Sequence, residues 1–135
     1  MATYETDIES ALNQQLNAMV GLPDVAWPNY EYEPEHGTSW LRPTLLPANT
    51  VANTTTSDRH TGIYQVDVFT EAGKGSSAGK ALVDLVADQF KPGTQLTYNG
   101  TVVEVLTVGA VGARTEDAWY HIPVEVRYIS QTPNR

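Results

Sequence analysis

The chain has 135 residues, with 16 acidic side chains against 8 lysines and arginines and no cysteine, so its formal charge is −8. This length fits one domain with one core, and an acidic surface repels the phosphate backbone of DNA and RNA. The lack of cysteine excludes disulfides, thiolate nucleophiles and cysteine-bound zinc. The polar, acidic residues 1–10 do not resemble a signal peptide, and no apolar stretch reaches the roughly 20 residues that span a bilayer. The composition therefore predicts a soluble domain, intracellular or carried on a particle.

The acidic excess lies almost entirely in the first third of the chain. All seven acidic residues up to Leu41 are unopposed by a base, whereas nine acids and eight bases follow from Arg42 onward. Within that first third, Glu31, Glu33 and Glu35 alternate along one extended segment. This alternation predicts a solvated acidic stripe in preference to a calcium or acid–base site.

The first predicted element is a helix over residues 5–20. Its apolar stripe consists of Ile8, Leu12, Leu16 and Met19, at helical spacings. Thr6 followed by Glu9 has the spacing of a capping box. Gly21 and Pro23 are typical of a helix end.

Residues 24–47 form a second region, predicted to be extended but interrupted. Two short strands are predicted there, and prolines interrupt them. This favours an edge position in the sheet, because proline has no N–H to donate to a central ladder. Residues 48–61 have no apolar period and are predicted to form a long polar loop. Loops of that length are usually functional or mobile.

The second half of the sequence has a more regular pattern. Alternation predicts a strand over 62–70, with Tyr64, Val66 and Val68 on one face. A helix capped by Ser76 or Ser77 follows, and Asn99-Gly100 predicts a tight hairpin. In the last strand, alternation places the apolar residues 120, 122, 124, 126 and 128 inside and His121 on a surface or interface. Together the elements predict one α+β domain, a mostly antiparallel twisted sheet with two helices packed on it.

Motifs for catalysis or cofactor binding are weak. The segment Gly73 to Ala81 resembles a phosphate-binding loop, but its glycine spacing is wrong and Ala81 replaces the magnesium ligand. His36, His60 and His121 lack the spacing of a zinc site. No activated nucleophile is evident. We therefore expect neither an enzyme nor a metal or cofactor site.

Aromatic residues are more informative. They concentrate in the strands and their flanks, several beside prolines: Trp27, Tyr30, Tyr32, Trp40, Tyr64, Trp119 and Tyr120. Such residues serve equally well as core and as the centre of a protein–protein interface. With the polar loop, they favour a subunit of an assembly.

The order of these patterns resembles the phage tail terminator-like family of long-tailed bacteriophages. The resemblance lies in the opening helix around Ile8 to Leu12, in Val25 to Asn29, in Gly62 to Val68, in the turn Gly73 to Gly75 and in the closing Trp119 to Tyr128. It implies a virion protein, assembled in the host cytoplasm, that forms a hexameric ring on the head-proximal end of the tail tube. It also implies two protein partners, the tube protein and a neck or head-completion protein. DNA would pass through the lumen without specific binding, which suits an acidic subunit.

The family supplies no residue-level sites, so we predict them from the chain itself. For contact with the tail tube, we predict seven residues of the polar loop: Asn53, Thr54, Thr55, Ser57, Asp58, Arg59 and His60. For ring closure, we predict that Arg42 and the charged outward face of the last strand (Glu125 and Arg127) pair with acids on the second helix, such as Asp84 or Asp88. Two alternatives stay open at this point: a neck or head–tail joining subunit of the same virion, and a small acidic binding module such as an immunity protein.

Overall fold

A single sheet built around two long strands organises the chain. The computed structural model describes residues 4–28, 30–34, 37–48, 51–52, 57–116 and 118–133. In chain order the elements are α1 (Tyr4–Asn17), β1 (Asp24–Val25), β2 (Trp40–Pro47), β3 (Val51–Ala52), β4 (Ser57–Glu71), α2 (Ser77–Gln89), β5 (Gln95–Tyr98), β6 (Thr101–Ala110), β7 (Arg114–Glu116) and β8 (Trp119–Pro133).

The sheet has the strand order β1-β2-β4-β8-β6-β5, with β3 added to β4 and β7 added to β8. Every pairing is antiparallel except the two-residue contact between β1 and β2. Both helices pack against this sheet. The predicted α+β architecture is therefore confirmed.

The central pair, β4 and β8, is matched along its full length. The two 15-residue strands run antiparallel from Ser57 opposite Pro133 to Glu71 opposite Trp119. At about 3.4 Å per residue this ladder is about 50 Å long. The predicted alternation is confirmed, because Tyr64, Val66 and Val68 are buried together with the alternate residues of β8.

Helix α1 covers one face of the sheet with the predicted stripe. Ile8, Leu12 and Leu16 are almost inaccessible to solvent. The helix begins at Tyr4, before Thr6, so Thr6 lies in the first turn and the predicted capping box is wrong. Helix α1 is tied to α2 by reciprocal hydrogen bonds: the Gln15 amide donates to the Gln89 carbonyl at 2.7 Å, and the Gln89 amide to the Gln15 carbonyl at 2.6 Å.

Helix α2 packs closely on the same face. Ser76 occupies its N-cap position, but the hydroxyl makes no capping hydrogen bond, contrary to the prediction. Gly79 lets α2 approach β8 closely, since a Cβ there would lie 2.8 Å from Cδ1 of Ile122. Val86 and Phe90 are fully buried, whereas Leu85 is 39% exposed.

The hairpin β5–β6 has the predicted tight turn. Asn99 and Gly100 both have positive φ, 52° and 79°, as a type I′ turn requires.

Neither helix of the described chain is long and apolar enough to cross a membrane.

The long polar loop predicted over residues 48–61 is wrong in extent. Strand β4 begins at Ser57, and β3 at Val51–Ala52 pairs with Asp58 and Arg59. The described residues of this segment therefore lengthen the sheet, with backbone groups paired to β3 and β8.

Candidate inter-subunit surface

The face of the sheet opposite the helices carries a buried aromatic stack. The strand register places Trp40, Phe69 and His121 side by side across β2, β4 and β8. The ring of Phe69 lies between the other two, with centroids 4.0 Å from Trp40 and 4.5 Å from His121 and planes within 9° of parallel. All three side chains are buried, so this face contains a small second core.

One buried carboxylate joins three polar side chains beside the stack. Asp67, only 2% exposed, has Oδ1 2.8 Å from Nε2 of His121 and accepts a 2.8 Å hydrogen bond there from the amide of Gln65. Its Oδ2 accepts from Nε and Nη2 of Arg42, at 3.2 and 3.1 Å. The prediction of a surface or interface histidine at position 121 is therefore wrong, because the face of β8 that carries His121 is covered within the chain itself.

Arg42 is the accessible member of this network. Its side chain is 47% exposed, and its guanidinium carbon lies 5.0 Å above the Phe69 ring. Within the chain Arg42 pairs with Asp67, a partner that single-sequence reasoning missed. Arg42 and Asp67 are cross-strand neighbours, and only the register between β2 and β4 reveals it.

A groove runs round the β2 edge next to Arg42. The segment carrying Trp27 and Tyr30 separates it into two parts of about 500 and 510 Å³, one along α1 and one along β2. Tyr30 is 78% exposed, whereas Trp40 and Tyr64 are buried. The aromatic residues thus divide between the two roles, core and accessible surface.

The β2 edge itself is closed to strand addition by proline. The backbone N–H of Ala26 donates to the carbonyl of Leu41, so the backbone groups of Leu41 point away from β4. Alternation gives the same direction to Pro43, Leu45 and Pro47. Because proline has no N–H, only Leu45 can donate along the part of this edge beyond β1.

The other residues predicted for ring closure divide between α2 and the face of the sheet that carries Arg42. Asp84 and Asp88 are exposed on α2. Arg127 and Glu125 lie on β8, where they form an ion pair with each other at 3.6 Å. Arg42 projects from the face opposite the helices, so it cannot meet Asp84 or Asp88 of its own chain.

Of the residues predicted for tube contact, the structure describes residues 57–60, which lie at one end of the long ladder. Arg59 is exposed, but His60 is buried, at 4%. Ser57 and Asp58 belong to β4. Asn53, Thr54 and Thr55 lie outside the described residues.

Among the described residues, no group of three histidine, aspartate or glutamate side chains is placed to hold a metal ion. Gly73 and Gly75 have φ values of 83° and 82°, which fits a glycine turn that leads into α2. The β2 edge, by contrast, offers aromatic side chains and an arginine, residue types that are enriched at protein–protein interfaces.

Comparison with solved structures finds the same fold elsewhere. One solved protein shares 23% sequence identity, with a TM-score of 0.73 over 98% of this chain and 96% of that one. A chain from the virion of a native gene transfer agent (GTA) particle shares 17% identity, with a TM-score of 0.67 over 99% of this chain and 100% of that one. Comparison with curated protein sequences finds no match.

Comparison with family models identifies the chain more directly. A model described as phage tail terminator protein matches residues 7–128, which span both helices and nearly the whole sheet. The match confirms the resemblance inferred from the sequence. The chain is therefore a structural, non-enzymatic protein of a phage tail, and it belongs to the phage tail terminator family.

Proposed function

We propose that the protein forms a closed, hexameric ring on the head-proximal end of the tail tube, where it stops tube polymerisation and joins the tail to the neck. The observation that carries this proposal is the family match over residues 7–128. The similar fold of a chain in a GTA virion supports a place in a particle. The ring assembles in the host cytoplasm and is retained in the virion.

The surfaces of the subunit suit a ring built by head-to-tail contacts. Such a ring needs two different complementary patches on each subunit, and it closes by rotation. The proline-bearing β2 edge and the exposed face of α2 are two such patches. Since Pro43 and Pro47 prevent strand addition at that edge, the contact relies on side chains.

We assign contact with the tube protein to the segment between β3 and β4 together with the first residues of β4. The predicted residues are Asn53, Thr54, Thr55, Ser57, Asp58, Arg59 and His60. Of the side chains described there, exposed Arg59 is the one available to a neighbouring ring. The neck or head-completion protein docks on the opposite ring face, and the acidic lumen lets DNA slide without binding.

The test is a phage whose gene for this protein carries an early stop codon. Lysates should contain tails longer than those of the wild type, measured by electron microscopy, and a plasmid copy should restore normal length. A matched variant tests the tube contact alone: residues 53–56 are replaced by a glycine–serine segment of equal length, which retains the paired residues of β3 and β4. Its tails should also be longer than those of the wild type. Tails of normal length in the absence of the protein would contradict the proposed function.

A further inference from the structure

The outward face of α2 carries two carboxylates, and the second of them, Asp88, lies in the last turn. Asp84, Leu85 and Asp88 are exposed there, and no basic residue lies in the last turn. The C-terminal end of a helix is the negative end of its dipole, which disfavours acidic side chains. Neither aspartate forms a salt bridge with a residue that the structure describes. The two carboxylates therefore have no cationic partner in the part of the chain that the structure describes.

The groove along β2 offers complementary chemistry. Its volume is about 510 Å³. Its charged lining residues are Arg42 and, on the α1 side, Glu9, and its apolar and aromatic walls include Trp27, Tyr30, Tyr32, Trp40 and Leu45. A leucine fits between such walls, and a carboxylate fits the guanidinium.

Arg42 is already held in a fixed position before any partner arrives. Asp67 binds it through Nε and Nη2, and Phe69 lies beneath it. These contacts leave Nη1 available as a directed donor. Because Asp67 offsets the charge of Arg42, the groove would bind a carboxylate through oriented N–H groups and would attract it only weakly from a distance. A side chain fixed in this way loses little conformational freedom on binding.

We propose that Asp84, Leu85 and Asp88 of one subunit dock in the β2 groove of the next, with Leu85 between the aromatic walls and a carboxylate on Arg42. The occupant is a second copy of this chain, because Arg42 lies on the face of the sheet opposite α2, so the carboxylates of α2 can reach it only from another subunit. The inference rests on the proposed ring and names its repeated contact. Two different patches meet at each junction, as a head-to-tail ring requires.

The cysteine-free sequence allows a clean cross-linking test. Thr44→Cys places a thiol in the groove, and Ala81→Cys places one on α2, a turn before Leu85. A short bismaleimide is added to concentrated protein and to purified virions carrying the variants. The double variant should give a covalent ladder that ends in a closed ring, whereas a mixture of the two single variants should give dimers only.

Two results would overturn this docking. One is self-linking of Thr44→Cys alone, which would mean that groove meets groove. The other is the absence of cross-links in both samples. Loss of the proposed function is a separate outcome, since it depends on tail length in the phage that lacks the protein.

A double-mutant cycle tests the named side chains. Arg42→Gln, or the pair Asp84→Asn and Asp88→Asn, should raise the protein concentration at half-assembly about tenfold. All three changes together should raise it no further than either alone, because they remove the same contact. Arg114→Gln, at an exposed cation of β7 that belongs to neither surface, serves as the control and should leave that concentration unchanged. Independent, multiplying effects of the two sets would contradict direct pairing.

Discussion

At the scale of single residues, two tyrosine hydroxyls are kept neutral by burial. Tyr64 is 1% exposed and donates a 2.6 Å hydrogen bond to Oδ1 of Asn13. Burial, and secondarily the charge of Glu9, raises its pKa far above the usual range. For Tyr128, burial and then the charge of Glu5 raise the pKa to about 12. Ionisation of either hydroxyl is therefore coupled to unfolding.

This coupling predicts loss of stability at alkaline pH. The pKa of each tyrosine is higher in the folded than in the unfolded protein, so the folded state retains the proton while the unfolded chain releases it. The free energy of unfolding should be undiminished below about pH 10 and fall as the pH rises toward 12, by about 1.4 kcal/mol per pH unit for each tyrosine. Urea unfolding followed by circular dichroism measures the slope.

Phenylalanine variants identify the groups responsible. Replacing Tyr64 and Tyr128 together by phenylalanine should flatten the alkaline slope. Tyr30→Phe removes a hydroxyl that is exposed and should leave the slope as it is. An unchanged slope in the double variant would assign the effect to other groups.

At the scale of elements, the β4–β8 ladder contains one position where only glycine fits. Gly62 lies opposite Tyr128, and a Cβ on it would lie 2.6 Å from the Tyr128 hydroxyl and 2.7 Å from the Leu46 carbonyl oxygen. The aromatic ring therefore covers the backbone of the neighbouring strand. Gly62 also permits β2 to approach β4 at their common end.

We expect Gly62→Ala to lower the free energy of unfolding by about 1–3 kcal/mol, as overpacking does. Gly109→Ala is the matched control, because it is also a strand glycine but has open space around its Cβ position. That change should stay within about 0.5 kcal/mol of wild type. Adding Tyr128→Phe to Gly62→Ala should restore part of the loss, since the Leu46 carbonyl remains. Equal effects of the two alanine changes, measured in urea, would contradict the close approach.

Local sequence signals predict some elements well and others not at all. The stripe of α1, the alternation of β8 and the Asn99-Gly100 turn each act over a few residues, and the structure confirms them. The strand that opens at Ser57 was missed, because its polar residues are held by pairing with distant β8. The cluster of Asp67, Arg42 and His121 was missed for the same reason. Strand register, which one sequence does not reveal, brings those side chains together.

At the scale of the whole molecule, monomer stability and assembly place opposite demands on α2. Asp88 lies in the last turn, where its charge opposes the helix dipole. In the ring that we propose, the same charge faces the groove of a neighbour. A residue that weakens its own helix is thus retained at a surface completed by another subunit.

Asp88→Asn should therefore separate these two properties. The variant should unfold with a free energy higher by about 0.3–1 kcal/mol, because the unfavourable dipole interaction is removed. Its assembly should be weaker, measured by light scattering and by plaque yield. Glu33→Gln, an exposed acid outside the helices, should change neither. A variant that is less stable than wild type would contradict the dipole argument.

The two prolines at the β2 edge also affect how free subunits associate with one another. Open strand edges recruit one another, and proteins that accumulate with such edges form fibrils. Here one edge lacks donors at Pro43 and Pro47, and the opposite edge strand, β5, has only four residues. Edge-to-edge pairing of free subunits is therefore disfavoured at both ends of the sheet. Contact at the β2 edge depends instead on side chains, which can discriminate between partners where a backbone ladder cannot.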